Sequence, residues 1–137
     1  MTELVWDSAR LGTATASSGA SITVGEHAQF STNDLLGAAA AGCLMQTFVR
    51  LAEDAKASIL SFAATAHCES RRPLTPPHVT VHVYVVAPWG ADAQALFALL
   101  ARSTSESPIA QLLADRITMT ADVRVLCTLQ PAVREEP

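Results

Sequence analysis

Cys43 closes a run of small and apolar residues, Leu35-Leu36-Gly37-Ala38-Ala39-Ala40-Ala41-Gly42, that leaves space around its thiol. A thiol with room beside it can serve as a nucleophile once ionised, and the same residue can equally be a packed core thiol. The run predicts a helix in which Cys43 lies more than two turns from the start, so the N-terminal helix dipole, which fades within the first turn, gives it little help. A cation must then come from another element. Arg10, at the end of the first predicted strand and next to Gly12, is the candidate.

The other two cysteines, Cys68 and Cys127, fall in phase with the apolar faces of predicted strands, where a free thiol behaves as a small buried hydrophobe. His78 and His82 share one strand face but stand about 13 Å apart at the usual rise per residue, too far to hold one ion. No Cys-x-x-Cys pair, helical His-x-x-x-His pair or further ligand at a suggestive spacing accompanies them, so no metal is expected. Gly-x-Ser-x-Gly and phosphate-loop patterns are absent, and Ser17-Ser18-Gly19 reads as a turn.

These residues are positioned by a predicted α+β order. Leu4 to Ser8 is an expected strand, and Gly12 to Val24 a hairpin about Ser17-Ser18-Gly19. Ser31-Thr32-Asn33-Asp34 supplies N-cap candidates for a helix running to about Ala55. Its first half is apolar or small on every side, and a chain of this size has little protein with which to surround it, so a second subunit is expected against one face. Ser58 to Glu69 and His78 to Val86 alternate as strands, the second with Val79, Val81, Val83 and Val85 inward. Asp92 to Arg102 has amphipathic helical spacing. Ser107 before Pro108 reads as a cap opening a short helix through Leu113, and Ile117 to Val125 as a last strand. Arg71 to Pro77 is an expected loop, and residues 131–137 an expected frayed tail.

Composition bounds the function. With 137 residues, half of them hydrophobic, the chain is expected to form a single domain over 1–137 with a substantial core. A net charge of −4 with scattered Lys and Arg offers no face for nucleic acid. The uncharged apolar run from Leu35 to Met45 is shorter than the roughly 18 to 20 residues of a membrane span. The start, with Glu3 and Asp7 and no continuous apolar stretch, does not read as a signal peptide, and three cysteines are few and odd in number for a secreted scaffold. A cytoplasmic protein with free thiols is expected.

The order of these features resembles the OsmC/Ohr family of cysteine-dependent organic hydroperoxide reductases. The resemblance rests on Asn33-Asp34-Leu35-Leu36-Gly37-Ala38-Ala39-Ala40-Ala41-Gly42-Cys43, on Glu106-Ser107-Pro108-Ile109, similar to the family's Cys-Pro-hydrophobic, and more weakly on Arg10-Leu11-Gly12. It implies an intertwined homodimer with antiparallel sheets around long central helices and an active site at the subunit interface. It further implies Cys43 as the thiolate that attacks the peroxide and Arg10 as its electrostatic support, with no cofactor beyond an external thiol or dithiol reductant. Two positions depart from the family pattern: Ser107 replaces the resolving cysteine, and Asn33 replaces the acid that orients the arginine. A serine cannot form a disulfide, so a sulfenic acid at Cys43 has to await an external thiol, Cys68 or Cys127. Loss of the acid removes a counter-charge from Arg10. The resemblance thus implies a peroxidase of organic hydroperoxides; a non-catalytic dimer of the same fold, binding a small apolar ligand at the subunit interface, is the alternative.

Overall fold

A computed structural model describes residues 1–70, 73 and 75–127. The expected tail at 131–137 lies outside the described residues, as do Arg71, Arg72 and Leu74 of the expected loop. The order is β1 (Glu3–Ser8), β2 (Leu11–Thr15), β3 (Ser21–Gly25), α1 (Thr32–Asp54), β4 (Ser61–Glu69), β5 (His78–Ala87), α2 (Ala93–Glu106), α3 (Pro108–Leu113), a 3-10 turn (Ala114–Arg116) and β6 (Ile117–Val125). Two three-stranded sheets result, β1-β2-β3 and β4-β5-β6.

The antiparallel expectation holds for every strand pair except β5 and β6, which run parallel from Val79 opposite Ile117 to Ala87 opposite Val125. A parallel pair needs a crossover of a dozen residues or more, and α2 and α3 are that crossover. They lie with α1 over one face of the sheet, to which β5 contributes Val79, Val81, Val83 and Val85, all fully buried. Leu44 and Phe48 of α1 and Leu96 and Leu100 of α2 complete the core, and the Phe48 ring lies 5.7 Å from that of Phe62 on β4.

Both ends of α1 are closed by hydrogen bonds. Ser31 Oγ accepts from the Asp34 N–H at 3.0 Å, and Asp34 Oδ2 accepts from the Ser31 N–H at 2.9 Å, a reciprocal capping box. At the far end Lys56, at φ +56°, turns the chain back so that the N–H groups of Lys56 and Ala57 reach the carbonyls of Glu53 and Ala52. That turn delays β4, which begins at Ser61 rather than Ser58. The expected α2 ended at Arg102, whereas the helix runs to Glu106. Ser103, Thr104 and Ser105 stay helical by giving their hydroxyl hydrogens to the carbonyls of Leu99, Leu100 and Arg102. By length and composition α1 is apolar enough to cross a membrane, but here it is the core helix of the fold.

Gly25 fixes the approach of the small sheet to the Arg10 turn. Its φ is +140°, and a Cβ there would lie 2.0 Å from the Arg10 carbonyl oxygen. Gly25→Ala is expected to destabilise the fold by about 2 kcal/mol or more, read as a lowered urea midpoint; an unchanged midpoint would contradict the close approach.

Candidate functional site

Cys43 sits midway along α1, half-buried, on the side of the helix that meets the junction of α2 and α3. Pro108 creates that junction. Its ring disfavours the helical conformation in the residue before it, so α2 stops at Glu106 and Ser107 is extended at φ −66°, ψ 125°. The backbone of Ser107 stays satisfied on both sides, donating to the Ser103 carbonyl at 2.8 Å and accepting from the Gln111 N–H at 2.9 Å. Ser107 is 1% exposed.

The sequence reading made Ser107 the cap of α3. It holds the cap position, but its hydroxyl makes no capping hydrogen bond. It donates instead to Cys43 Sγ at 3.0 Å, because burial against α1 points the side chain at the sulfur. Two other hydroxyls are buried among the described residues. Thr47 donates to the Cys43 carbonyl at 2.9 Å and Ser103 to the Leu99 carbonyl at 2.7 Å, so neither gives its hydrogen to the thiol.

Arg10 is placed elsewhere in the same chain. It follows Ala9, at φ +49°, in the turn between β1 and β2, where the Trp6 indole N–H holds the Ala9 carbonyl at 2.9 Å. Its guanidinium pairs with Glu26 at 2.6 Å, both side chains exposed, and so it does have a counter-charge. Sequence reasoning missed Glu26, whose one available signal was its position directly after the predicted hairpin that starts near Arg10. Arg10 lines a cleft of about 230 Å3 with Leu4, Trp6, Val24 and Thr32. Cys43 is eleven residues beyond Thr32 on α1, about 16 Å along the helix axis.

Asn33 lies in the first turn of α1, about 15 Å along the axis from Cys43. Its carbonyl accepts a hydrogen bond from the Cys68 thiol at 3.2 Å. Asn33, Asp34, Gly37, His67 and Cys68 line a separate cleft of about 530 Å3 between α1 and β4. Burial pushes the Cys68 thiol above its ordinary range, the Asp34 carboxylate adds to this, and a hydrogen bond from the Gly37 backbone opposes it. Cys68 therefore stays a protonated donor, half-buried as the strand pattern implied. Cys127 departs from its expected burial and is exposed. β6 ends at Val125 because its partner β5 ends at Ala87, whose carbonyl accepts the last bond from Leu126.

His78 and His82 lie on the outward sheet face. His78 bonds to Thr118 at 2.8 Å, and His82 contacts Thr120 through Nδ1 and Asp122 through Nε2 at 3.0 Å. Among the described residues no group of three or more His, Cys, Asp or Glu side chains could hold a metal ion. The arrangement thus brings together Cys43 and Ser107 and leaves Arg10 and Asn33 apart from them within one chain.

Comparison with known proteins bears on this arrangement. No curated protein matches the chain. Among solved structures, an OsmC-like protein from Mycoplasma pneumoniae superimposes with a TM-score of 0.76 at 13% identity, covering 92% of this chain and 96% of that one. An organic hydroperoxide resistance protein OsmC from Legionella pneumophila gives 0.69 at 17% identity, over 91% and 97%. The organic hydroperoxide resistance protein OhrB of Bacillus subtilis gives 0.67 at 11% identity, over 90% and 98%. At such identities the likeness concerns the fold. A family model described as OsmC-like protein matches residues 25–122, which include the whole of α1 and the Ser107-Pro108 junction. The chain belongs to the OsmC-like family.

Proposed function

We propose that this protein reduces organic hydroperoxides, with Cys43 as the nucleophile. The observation that carries the reading is the Ser107 hydroxyl aimed at Cys43 Sγ from 3.0 Å, which sets a buried hydrogen-bond donor against the sulfur that makes the attack. The thiolate attacks the terminal peroxide oxygen, the O–O bond breaks, and the leaving alkoxide takes a proton to become an alcohol. Cys43 is left as a sulfenic acid. Family membership supports this chemistry, as do hydroperoxide resistance proteins among the structural neighbours. All three cysteines are free, in keeping with a reducing cytoplasm.

Arg10 reaches such a site from a second copy of the chain. In one chain α1 leaves Ala38 and Met45 exposed beside Gly42, and β1 leaves Leu4 and Trp6 at 66% and 74% exposure. A homodimer that covers these faces brings the Arg10 turn of one subunit toward the Cys43 of the other. Gly42 provides a test. A Cβ there meets nothing within 4 Å in one chain, so in a monomer Gly42→Leu gains helix propensity of up to about 1 kcal/mol. In the dimer the added side chain enters the interface. Sedimentation is expected to show a dimer for the unmodified chain and a shift toward monomer for Gly42→Leu; a monomer in both would remove the subunit-borne Arg10.

The second reading, an apolar-ligand dimer with an inert Cys43, is favoured by the mainly apolar cleft of Leu4, Trp6 and Val24. Treating the reduced protein with one equivalent of cumene hydroperoxide, with hydrogen peroxide in parallel, separates the two by peptide mass. Fast oxidation of Cys43 with the organic oxidant preferred is the expected result. Oxidation no faster than that of a free thiol favours the ligand-binding dimer.

A further inference from the structure

The return of an oxidised Cys43 to a thiol is constrained by where the other sulfurs lie. A disulfide requires the two Cα atoms to come within about 4.4–6.8 Å. Cys68 is held at the start of α1, its Sγ 3.6 Å from the position of a Cβ on Gly37. Cys43 is six residues further along, about 9 Å along the axis and about 240° around the helix. Cys127 follows Leu126, which is bonded to Ala87 at the end of the sheet where α1 finishes. That end of the helix, marked by Ala52, is nine residues and about 13 Å from Cys43. The side chain in hydrogen-bond contact with the sulfur is Ser107, whose oxygen cannot form a disulfide.

Building on the peroxidase reading, we propose that Cys43 and Ser107 form a one-cysteine redox centre whose sulfenic acid is closed by a small thiol from solution. The small thiol attacks the Cys43 sulfur, the S–O bond breaks, and the oxygen leaves as water with the thiol's proton. A mixed disulfide remains at Cys43. A second small thiolate attacks the outer sulfur, forming a free small-molecule disulfide and expelling Cys43 as a thiolate. Ser107 acts in this last step. Its hydroxyl stabilises the charge returning to Cys43 Sγ, which makes Cys43 the better leaving group and directs attack to the outer sulfur.

The test uses the full chain, cumene hydroperoxide and then glutathione, read by intact and peptide mass. For the unmodified protein the expected sequence is one oxygen gained at Cys43, a glutathione adduct on Cys43, and the free thiol in excess glutathione. Ser107→Cys is expected to give a disulfide between Cys43 and the introduced thiol, and no adduct. Ser107→Ala is expected to form the adduct and release it about tenfold more slowly at neutral pH, the order lost with a hydrogen bond to a charged group. A disulfide in the unmodified protein from Cys43 to Cys68, to Cys127 or between two copies of Cys43 would overturn the proposal. So would failure of Ser107→Cys to form its disulfide.

If peroxide leaves Cys43 untouched, the peroxidase reading fails, and oxidised glutathione then tests the pair alone. An adduct on Cys43 that Ser107→Ala releases more slowly supports the small-thiol centre; absence of any adduct overturns it.

Discussion

Cys43→Ser is expected to reduce the consumption of organic hydroperoxide by about a thousandfold or more, the scale on which removing a nucleophile acts. A serine hydroxyl is not ionised at neutral pH and attacks peroxide oxygen poorly, so no other group on α1 substitutes for the sulfur. The fold is expected to survive, because the smaller side chain leaves the half-buried position hydrogen-bonded to Ser107. Steady-state peroxide loss and a urea melt on the same sample separate the two effects. Unchanged turnover would move the chemistry away from Cys43.

The same variant locates Arg10. Within one chain Arg10 shares a cleft with Thr32, about 16 Å of helix from Cys43, so in the dimer proposed above it serves the other subunit's thiol. Arg10→Ala and Cys43→Ser, each impaired alone, are then expected to recover activity when unfolded together and refolded as mixed dimers. Random pairing leaves about a quarter of the sites with both residues intact. No recovery above the two parents would detach Arg10 from the site.

Phe48→Ala carries the largest expected effect on stability. Phe48 is fully buried, one turn beyond Leu44, and its ring packs against Phe62 across the contact of α1 with β4. Truncation removes the buried ring and leaves a cavity bounded by helix and sheet that cannot collapse, a loss of about 3–5 kcal/mol. Against a total stability of about 5–15 kcal/mol, that is a large share. Urea denaturation checks it, and a loss below about 1 kcal/mol would mean that the contact between helix and sheet is not the core of the fold. Because Phe48 lies five residues beyond Cys43, the variant is also expected to loosen the contact with Ser107, seen as faster alkylation of Cys43 in the folded protein.

The elements of this protein were legible in its sequence where the signal is local. Alternating Val79, Val81, Val83 and Val85 places β5, the Ser31–Asp34 cap opens α1, and Pro108 opens α3, each through backbone sterics or a short-range bond. Where the signal was weaker, boundaries moved: Lys56, in a conformation that glycine usually supplies, turns the chain so that β4 begins at Ser61, and hydroxyl back-bonding carries α2 past Arg102.

The sequence by itself also determined which residue types are at hand: a thiol among small residues, a serine before a proline, and an arginine in a turn. Their partners were settled only by the tertiary structure. Ser107 and Cys43 are 64 residues apart in sequence, and nothing local distinguishes a hydroxyl that caps α3 from one that donates to sulfur. That choice was made when α3 packed against α1 and left the hydroxyl with the thiol as its acceptor. In the same way Glu26 became the partner of Arg10 because the β2–β3 register sets Gly25 opposite Leu11, bringing two turns distant in sequence side by side. Helix and strand follow from short-range sterics and periodicity, whereas a side-chain hydrogen bond between elements depends on how they pack.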